Sequence, residues 1–262
     1  MSATTTDLAA AAYDRLAPFY DRFTADYAYE PWIEGIEKEA ISLGLSGWRA
    51  LDLACGTGKS TEPLLRRGYS VVACDLSEQM IYQARRKLPD HADAFLVADM
   101  RGLPPLGEFD LVLCLDDAIN YLLTQEDLAA AFECVGRVLA PNGVFAFDVN
   151  SLRSYRTAFA EAQIYDTPGA FFAWQGEGNT NHAPGESSSA SVEIFAERAD
   201  GLWERHSMRH MQRHHTPQAV AAALESAGLR CCSTLGQRPG ARLERTVDEQ
   251  TQIKVVHFAK LI

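Results

Sequence analysis

The stretch Ala50-Leu51-Asp52-Leu53-Ala54-Cys55-Gly56-Thr57-Gly58 carries the strongest fold signal, because a short apolar run leads directly into a tight glycine turn. Gly56 and Gly58 have no Cβ, so the backbone can turn sharply after a strand and approach a ligand closely. A second apolar run, Tyr69 to Cys74, ends on Asp75. A carboxylate at the tip of this next strand can accept both hydroxyl hydrogens of a ribose. The layout therefore predicts a nucleotide-binding pocket.

Three classes of ligand compete for this glycine turn. A dinucleotide site has a third glycine where this chain has Thr61, so a nicotinamide cofactor is disfavoured. Gly58-Lys59-Ser60 imitates the end of a phosphate-binding P-loop, but Leu53 stands where that motif begins with glycine. Asp52 also puts a carboxylate at the turn, which suits a cationic ligand better than a phosphate. A P-loop nucleotide hydrolase remains the alternative hypothesis.

Five motifs, in order along the chain, resemble those of the class I S-adenosylmethionine-dependent methyltransferases. S-Adenosylmethionine carries a ribose, an ammonium group and a sulfonium but no phosphate, which agrees with an acidic residue before the turn. The resemblance implies S-adenosylmethionine as cofactor and S-adenosylhomocysteine as its product. A non-catalytic protein that only binds this cofactor is a further hypothesis. The motifs are Asp52 to Gly58, Asp75 to Met80, Ala98-Asp99-Met100, Phe109-Asp110-Leu111-Val112 and Leu139-Ala140-Pro141-Asn142-Gly143.

The alternation of strand and helix patterns predicts an α/β fold, a Rossmann-like doubly wound sheet that is mostly parallel with an antiparallel last strand. Residues 1–45 are expected to form an N-terminal helical cap, and residues 46–150 with 216–262 the core. Residues 151–215 read as a small antiparallel insert, with a loop at 179–189. The expected strands are Ala50 to Ala54, Ser70 to Asp75, Ala94 to Val97, Asp110 to Leu115, Val144 to Val149, Leu229 to Thr234 and Gln252 to Lys260.

The whole-chain pattern is similar to a group of bacterial small-molecule methyltransferases that includes glycine and sugar N-methyltransferases. In that group an aromatic N-terminal helix and an antiparallel insert cover the cofactor, so the insert is expected to form a lid over the acceptor site. The resemblance implies methyl transfer to a nitrogen or oxygen of a small-molecule acceptor by in-line displacement. It rests on Tyr20-Asp21, Asn120-Tyr121-Leu122, Phe147-Asp148-Val149 and His210-Met211-Gln212-Arg213.

Composition limits the partners of the chain. The 262 residues are 47% hydrophobic, which is enough for a sizeable core. The 35 acidic and 24 basic residues give a net charge of −11, and without a long basic run neither nucleic acid nor an anionic membrane is expected as a partner. Met1 to Ala12 lacks the pattern of a signal peptide, and no apolar run has membrane-spanning length, so a cytoplasmic location is expected. The choice between a monomer and a homodimer stays open.

The residues expected to bind the cofactor come from the glycine turn and from the ends of the following strands. Asp52 or its neighbouring backbone would meet the ammonium group, and Asp75 would bind the ribose hydroxyls. Asp99 matches the family position that contacts the adenine amino group. The end of the fourth strand would lie near the transferring methyl, because ligands in open α/β sheets lie outside the carboxyl ends of strands. The full set is Asp52, Ala54, Gly56, Gly58, Asp75, Leu76, Met80, Asp99, Met100, Leu115 and Asp116.

Methyl transfer needs alignment above all, although a base assists hydroxyl and amine acceptors. Strand alternation between residues 204 and 214 puts His210 on the same face as Gln212, and His210 is the preferred base or orienting group. The histidines lack the carboxylate or cysteine spacing of a metal site, so no metal is expected. The catalytic candidates are His210, Asp117 and Tyr20, and the acceptor-binding candidates are Tyr13, Asn120, Tyr121, Asp148, Gln212 and Arg213.

Overall fold

The computed structural model describes residues 5–262, and within this range the chain forms twelve β-strands and eight α-helices. The strands are β1 (Arg49–Leu53), β2 (Ser70–Asp75), β3 (Phe95–Val97), β4 (Phe109–Cys114), β5 (Leu139–Asn150), β6 (Ala162–Thr167), β7 (Ala170–Gly176), β8 (Ser187–Glu197), β9 (Trp203–Arg213), β10 (Leu229–Arg238), β11 (Arg242–Glu244) and β12 (Lys254–Leu261). The helices are α1 (Thr5–Leu16), α2 (Tyr20–Phe23), α3 (Tyr29–Ser42), α4 (Thr61–Arg66), α5 (Glu78–Lys87), α6 (Gln125–Val138), α7 (Leu152–Arg156) and α8 (Pro217–Ser226).

The larger sheet has the strand order β11-β10-β12-β5-β4-β1-β2-β3. Neighbours from β5 to β3 pair in parallel, whereas β12 pairs with β5 in the antiparallel direction. Strands β10 and β11 continue the antiparallel part. The predicted sheet, mostly parallel with an antiparallel last strand, is confirmed.

Both faces of this sheet are covered, as expected for a doubly wound fold. Ala50 of β1 contributes to a core on one face, and Leu51 and Leu53 contribute to a core on the other. Since β1 is buried on both faces, the adjacent residues Ala50 and Leu51 are both apolar, and the polar Asp52 that follows them is buried as well. The first core receives Trp32 and Ile36 of α3, Leu64 of α4 and Ile81 of α5, and the second receives Phe132 of α6 and Leu224 of α8.

Hydroxyl caps fix where three of the helices begin. Ser77 accepts a hydrogen bond from the Met80 N–H at 3.0 Å before α5, and Thr124 accepts one from Asp127 at 3.0 Å before α6. Thr216 does the same for α8. A cap of this kind typically stabilises a helix by about 1 kcal/mol. The first two caps therefore help to fix the chain beyond the carboxyl ends of β2 and β4.

The smaller sheet has the order β6-β7-β8-β9 and is antiparallel throughout, as predicted for the insert. Helix α1 packs against its inner face, where Ala12 and Leu16 join the apolar side chains of β7, β8 and β9. The predicted alternation along β9 is confirmed, because His210 and Gln212 are buried whereas Arg209 is exposed.

Three boundaries differ from the sequence-based expectation. Strand β5, expected from Val144, begins at Leu139, so Pro141-Asn142-Gly143 lies inside it, where pairing with β4 shifts register. The loop expected at 179–189 ends earlier, because Ser187 already pairs with Arg213 in the β8–β9 ladder. Strand β10 extends past Thr234 and forms a hairpin with β11. Strand β11 has no apolar run from which it could be predicted.

Candidate active site

A cavity of about 1030 Å³, counted to its open mouth, lies at the carboxyl ends of β1, β2 and β4, with side chains of α1 on its other side. This is the edge of an open α/β sheet at which ligands bind. Among the residues expected to bind the cofactor, Asp52 and Gly58 do not line the cavity. The others all do: Ala54, Gly56, Asp75, Leu76, Met80, Asp99, Met100, Leu115 and Asp116.

The two glycines of the turn have different environments. Both have positive φ, 54° at Gly56 and 80° at Gly58, which favours glycine. A Cβ on Gly58 would lie 3.2 Å from Cζ of Phe95, so the turn passes close to β3 at this point. Gly56 lines the cavity, and a Cβ there would lie 3.8 Å from Cε1 of Tyr20. Gly56 therefore presents backbone to the cavity, whereas Gly58 allows close packing beneath it.

Asp75 connects the glycine turn to the start of α5. Its Oδ2 accepts the Gly56 N–H at 2.9 Å, and its Oδ1 accepts the Ser77 N–H at 2.8 Å. Burial raises the pKa of Asp75 to about 6, against the lowering effect of these backbone hydrogen bonds. Each carboxylate oxygen keeps a further lone pair, so Asp75 can accept two more hydrogen bonds from a ligand in the cavity.

Asp52 lies beneath the turn. Its side chain is buried, and Oδ2 accepts hydrogen bonds from Ser60 Oγ at 2.7 Å and Thr61 Oγ1 at 2.6 Å. Burial raises the pKa of this carboxyl to about 6. Asp52 thus ties β1 to the start of α4 and does not line the cavity, so of the two contacts predicted for the ammonium group the neighbouring backbone, at Ala54, is the one at the cavity wall.

Arg101 holds two carboxylates on the wall formed after β3. Its Nη2 donates to Oδ2 of Asp99 at 2.6 Å and its Nε to Oδ1 at 3.1 Å, while Nη1 reaches Asp127. Burial alone would raise the pKa of Asp99, but the hydrogen bonds from Arg101 hold it below its usual value. All three side chains line the cavity, and the guanidinium offsets part of its acidic character.

A cluster of buried charges lies beyond the end of β4. The ammonium group of Lys254, at the start of β12, contacts Asp116, Asp117 and Asp148 at 3.0, 2.6 and 3.0 Å. Asp116 is the member that lines the cavity, and its Oδ2 accepts hydrogen bonds from the Tyr20 hydroxyl at 3.2 Å and the Tyr29 hydroxyl at 2.9 Å.

A chain of hydrogen bonds leads from the cavity to His210. The Tyr13 hydroxyl donates to Tyr121 Oη at 2.9 Å, and Tyr121 Oη lies 2.9 Å from Nδ1 of His210. Tyr13 and Tyr121 line the cavity, but His210 lies behind them. Burial lowers the pKa of His210 to about 4, so the imidazole is neutral at pH 7. The predicted base therefore reaches the cavity only through Tyr121.

The other acceptor candidates lie next to the cavity, where Arg213 is half-buried and the rest are buried, and they do not line it. Asn120 donates to the Arg213 carbonyl at 2.8 Å and accepts the Asn150 N–H at 2.9 Å. Gln212 donates to Asp117, which also binds Lys254, so the Asp117 carboxylate is occupied. These residues connect the small sheet to the large one, and the set outside the cavity comprises Asn120, Asp148, Gln212, Arg213 and, among the catalytic candidates, Asp117 and His210.

Several cavity residues were not predicted from the sequence. Lys59 lines the cavity, but its Nζ donates to the carbonyl and to the hydroxyl of Thr24 and lies 5.4 Å from the ring centroid of Tyr29. Arg101 directly follows the Ala98-Asp99-Met100 motif and could have been chosen on that ground. Lys254 is the first residue of a mainly apolar strand, a feature that is visible in the sequence.

Comparison with known proteins identifies the class. Residues 50–143 match the family "Methyltransferase domain". YqeM of Bacillus subtilis (strain 168), named only provisionally as a methyltransferase, is 31% identical over 223 residues, which cover 82% of this chain and 85% of that protein. The crystal structure of an S-adenosylmethionine-dependent methyltransferase from Clostridium acetobutylicum ATCC 824 superposes with a TM-score of 0.79 at 25% identity, over 95% of this chain and 98% of that one.

A third relative carries a more specific name. The dTDP-3-amino-3,4,6-trideoxy-alpha-D-glucopyranose N,N-dimethyltransferase of Streptomyces venezuelae is 28% identical over 183 residues, covering 69% of this chain and 74% of that protein. The chain belongs to the class I S-adenosylmethionine-dependent methyltransferases, and the family resemblance read from its motifs is confirmed. Across residues 5–262, every helix is too short or too polar to span a bilayer.

Proposed function

We propose that this protein transfers a methyl group from S-adenosylmethionine to a nitrogen or oxygen atom of a small-molecule acceptor. The observation that carries the proposal is the cavity edge at which the Asp75 carboxylate binds the glycine turn at Gly56 and still offers two acceptor oxygens. Such a carboxylate suits the two hydroxyl groups of a ribose. Leu76, Met80 and Met100 would provide apolar contacts for the adenine, and Asp99 would accept from its amino group.

The charge of the cavity fits a cationic ligand better than a phosphate. Asp75 faces it with hydrogen bonds from backbone N–H groups, and Asp116 shares the one ammonium of Lys254 with two other carboxylates. The guanidinium of Arg101 is likewise shared by two carboxylates. The ammonium of Lys59 is tied to Thr24. A P-loop hydrolase needs a lysine that is free to reach phosphate oxygens. The family assignment and this geometry together disfavour that alternative.

S-Adenosylmethionine, when bound, supplies a methyl carbon activated by the adjacent sulfonium. The protein then has to align the acceptor and exclude water, and oriented proximity can be worth roughly 7–11 kcal/mol. Tyr13, Tyr20 and Tyr121 would contact the acceptor, because their hydroxyls lie at the cavity wall. His210 would orient the Tyr121 hydroxyl, since the two are hydrogen bonded and burial keeps the imidazole neutral. The small sheet, which carries His210, would cover the acceptor.

An amine is the acceptor group to test first. The Streptomyces venezuelae relative is named as an N,N-dimethyltransferase of an amino sugar nucleotide, and its similarity extends over most of this chain. An amine must arrive neutral in order to attack the methyl carbon, and Tyr121, held by the neutral imidazole of His210, could orient it. A hydroxyl acceptor would need the same help, so both nitrogen and oxygen acceptors belong in the screen.

Isothermal calorimetry tests the proposal directly. The wild-type protein should bind both S-adenosylmethionine and S-adenosylhomocysteine, and Asp75→Ala should weaken both by about 100-fold, since two hydrogen bonds to a carboxylate are lost. Asp110→Ala is the matched control, because Asp110 lies in β4 at the amino end of the sheet and accepts the Arg49 N–H. An acceptor screen that detects S-adenosylhomocysteine follows. Cofactor binding without turnover of any acceptor would favour a non-catalytic binding protein.

A further inference from the structure

The turn that presents Asp116 to the cavity has an unusual backbone. Asp116 and Asp117 are consecutive and both have positive φ, 63° and 57°. A non-glycine residue in this left-handed region costs of order 1–3 kcal/mol, and the conformation persists only where the surroundings hold it. Sustained strain of this kind often accompanies a functional site.

Two groups hold this turn. The Asp148 carboxylate accepts the backbone N–H of Asp116 at 2.6 Å and that of Asp117 at 2.9 Å. The Lys254 ammonium donates to one oxygen of each of the three carboxylates. Asp148 is fully buried and Lys254 is 8% exposed, so the contacts are shielded from water. A buried ammonium that contacts three acceptors also fixes their directions.

The cluster has an excess of negative charge. Lys254 is one cation among three carboxylates, and the other groups that face Asp116 are the hydroxyls of Tyr20 and Tyr29, with Tyr27 and Lys59 farther away. Burial would raise the pKa of Asp116, but the ammonium of Lys254 holds it below its usual value. The pKa of Asp117, away from the cavity, is raised to about 6 by burial.

We propose that Lys254 is a positioning residue of the active site, which fixes the strained Asp116–Asp117 turn and keeps the Asp116 carboxylate ionised at the cavity wall. This inference rests on the proposed function, because the proposed cofactor carries the positive charge that the Asp116 carboxylate would stabilise. S-Adenosylmethionine carries the sulfonium charge, whereas S-adenosylhomocysteine lacks it. An ionised Asp116 therefore favours the first over the second, and Lys254 maintains this preference as the pH falls.

The test compares the two dissociation constants by calorimetry between pH 8 and pH 6. Their ratio is the readout, because both ligands share the ribose and the titration of Asp75 cancels. In the wild type, the preference for S-adenosylmethionine should change less than about threefold over this range. In Lys254→Met, Asp116 takes up a proton as the pH falls, and the preference should drop about tenfold.

Three further variants complete the experiment. Lys254→Arg keeps the positive charge and should restore a nearly constant ratio. Lys260→Met is the matched control, since Lys260 lies on the same strand and its Nζ donates to the Leu43 carbonyl. Lys254→Met with Asp117→Asn removes one charge of each sign, and it should show the tenfold drop even if Lys254→Met alone does not fold.

The outcomes separate the two hypotheses. A purely structural role for Lys254 would weaken both ligands equally and leave their ratio independent of pH. A constant ratio in Lys254→Met, or in the double variant, therefore overturns the role of Lys254 and leaves the proposed function intact. Failure of the wild-type protein to bind either ligand overturns the proposed function and this inference together.

Discussion

The two halves of the cavity are built in different ways. The cofactor half combines the glycine turn with Asp75, and its parts lie close together in sequence and depend mainly on backbone shape. The acceptor half combines Tyr13, Tyr121 and the charged cluster of Lys254, which come from opposite ends of the chain. The first half can be recognised from a motif, whereas the second exists only after the sheets have assembled.

The largest expected effect concerns the charged cluster of the acceptor half. Asp148→Ala should lower the free energy of unfolding by about 3 kcal/mol or more, because two buried N–H groups lose their acceptor and Lys254 loses one carboxylate. Urea denaturation measures this change. Asp110→Ala, which removes a half-buried carboxylate from the same sheet, should cost about 1 kcal/mol. Equal losses in the two variants would show that the cluster does not hold the acceptor half.

The next effect concerns backbone shape in the cofactor half. Gly56→Val places a branched side chain at φ 54° on the cavity wall, and S-adenosylmethionine should bind roughly 30-fold more weakly. Gly68→Val is the matched control, because Gly68 also has a positive φ, 90°, but is exposed and open on all sides. Calorimetry should detect the loss of binding in the first variant alone. Comparable binding by both variants would contradict the proposed position of the cofactor.

A smaller effect appears in the pH dependence of cofactor binding. The pKa of Asp75 is raised to about 6 in the free protein, and the ribose hydroxyls require its ionised form as acceptor. The affinity for S-adenosylmethionine should therefore be nearly constant above pH 7 and fall by about tenfold between pH 7 and pH 5. Asp75→Asn should bind more weakly with a flat profile. A wild-type affinity that stays constant down to pH 5 would rule out the ionised carboxylate as the ribose acceptor.

The smallest effect concerns Lys59, and it tests whether the cavity binds S-adenosylmethionine or a nucleoside triphosphate. Lys59→Met removes an ammonium that donates to Thr24, at the edge of the cavity. The affinity for S-adenosylmethionine should fall by no more than about threefold, because the cost is one partly exposed contact with the N-terminal segment. A nucleotide hydrolase would instead lose binding of ATP almost completely. Strong, magnesium-dependent ATP binding by the wild type would contradict S-adenosylmethionine as the ligand and favour a nucleotide hydrolase.

The sequence could predict the cofactor half because its geometry is local. The turn after β1 and the carboxylate after β2 are set by adjacent strands, so apolar runs and glycine spacing were sufficient. Asp52 and Gly58 were the exceptions. The Asp52 side chain lies beneath the loop, bonded to Ser60 and Thr61, and Gly58 packs against Phe95. Strand periodicity predicts the face of the sheet on which a side chain lies but not which residues of other elements contact it.

The acceptor half was predicted only in part, for the same reason. Alternation along β9 correctly put His210 on the inner face, yet Tyr13 of α1 and Tyr121 lie between it and the cavity. Lys254 is brought to Asp116 by antiparallel pairing of β12 with β5, a contact that no local pattern reveals. The left-handed turn then directs Asp117 away from the cavity. Long-range pairing and a strained backbone together determine this half.

A crystal structure of the protein with S-adenosylhomocysteine would test the central claim most directly. The ribose hydroxyls should lie within about 3 Å of the Asp75 carboxylate, with the ligand backbone above Gly56 and the adenine between Leu76 and Met100. A ligand bound elsewhere, with the Asp75 oxygens more than about 4 Å from any ribose hydroxyl, would contradict the account.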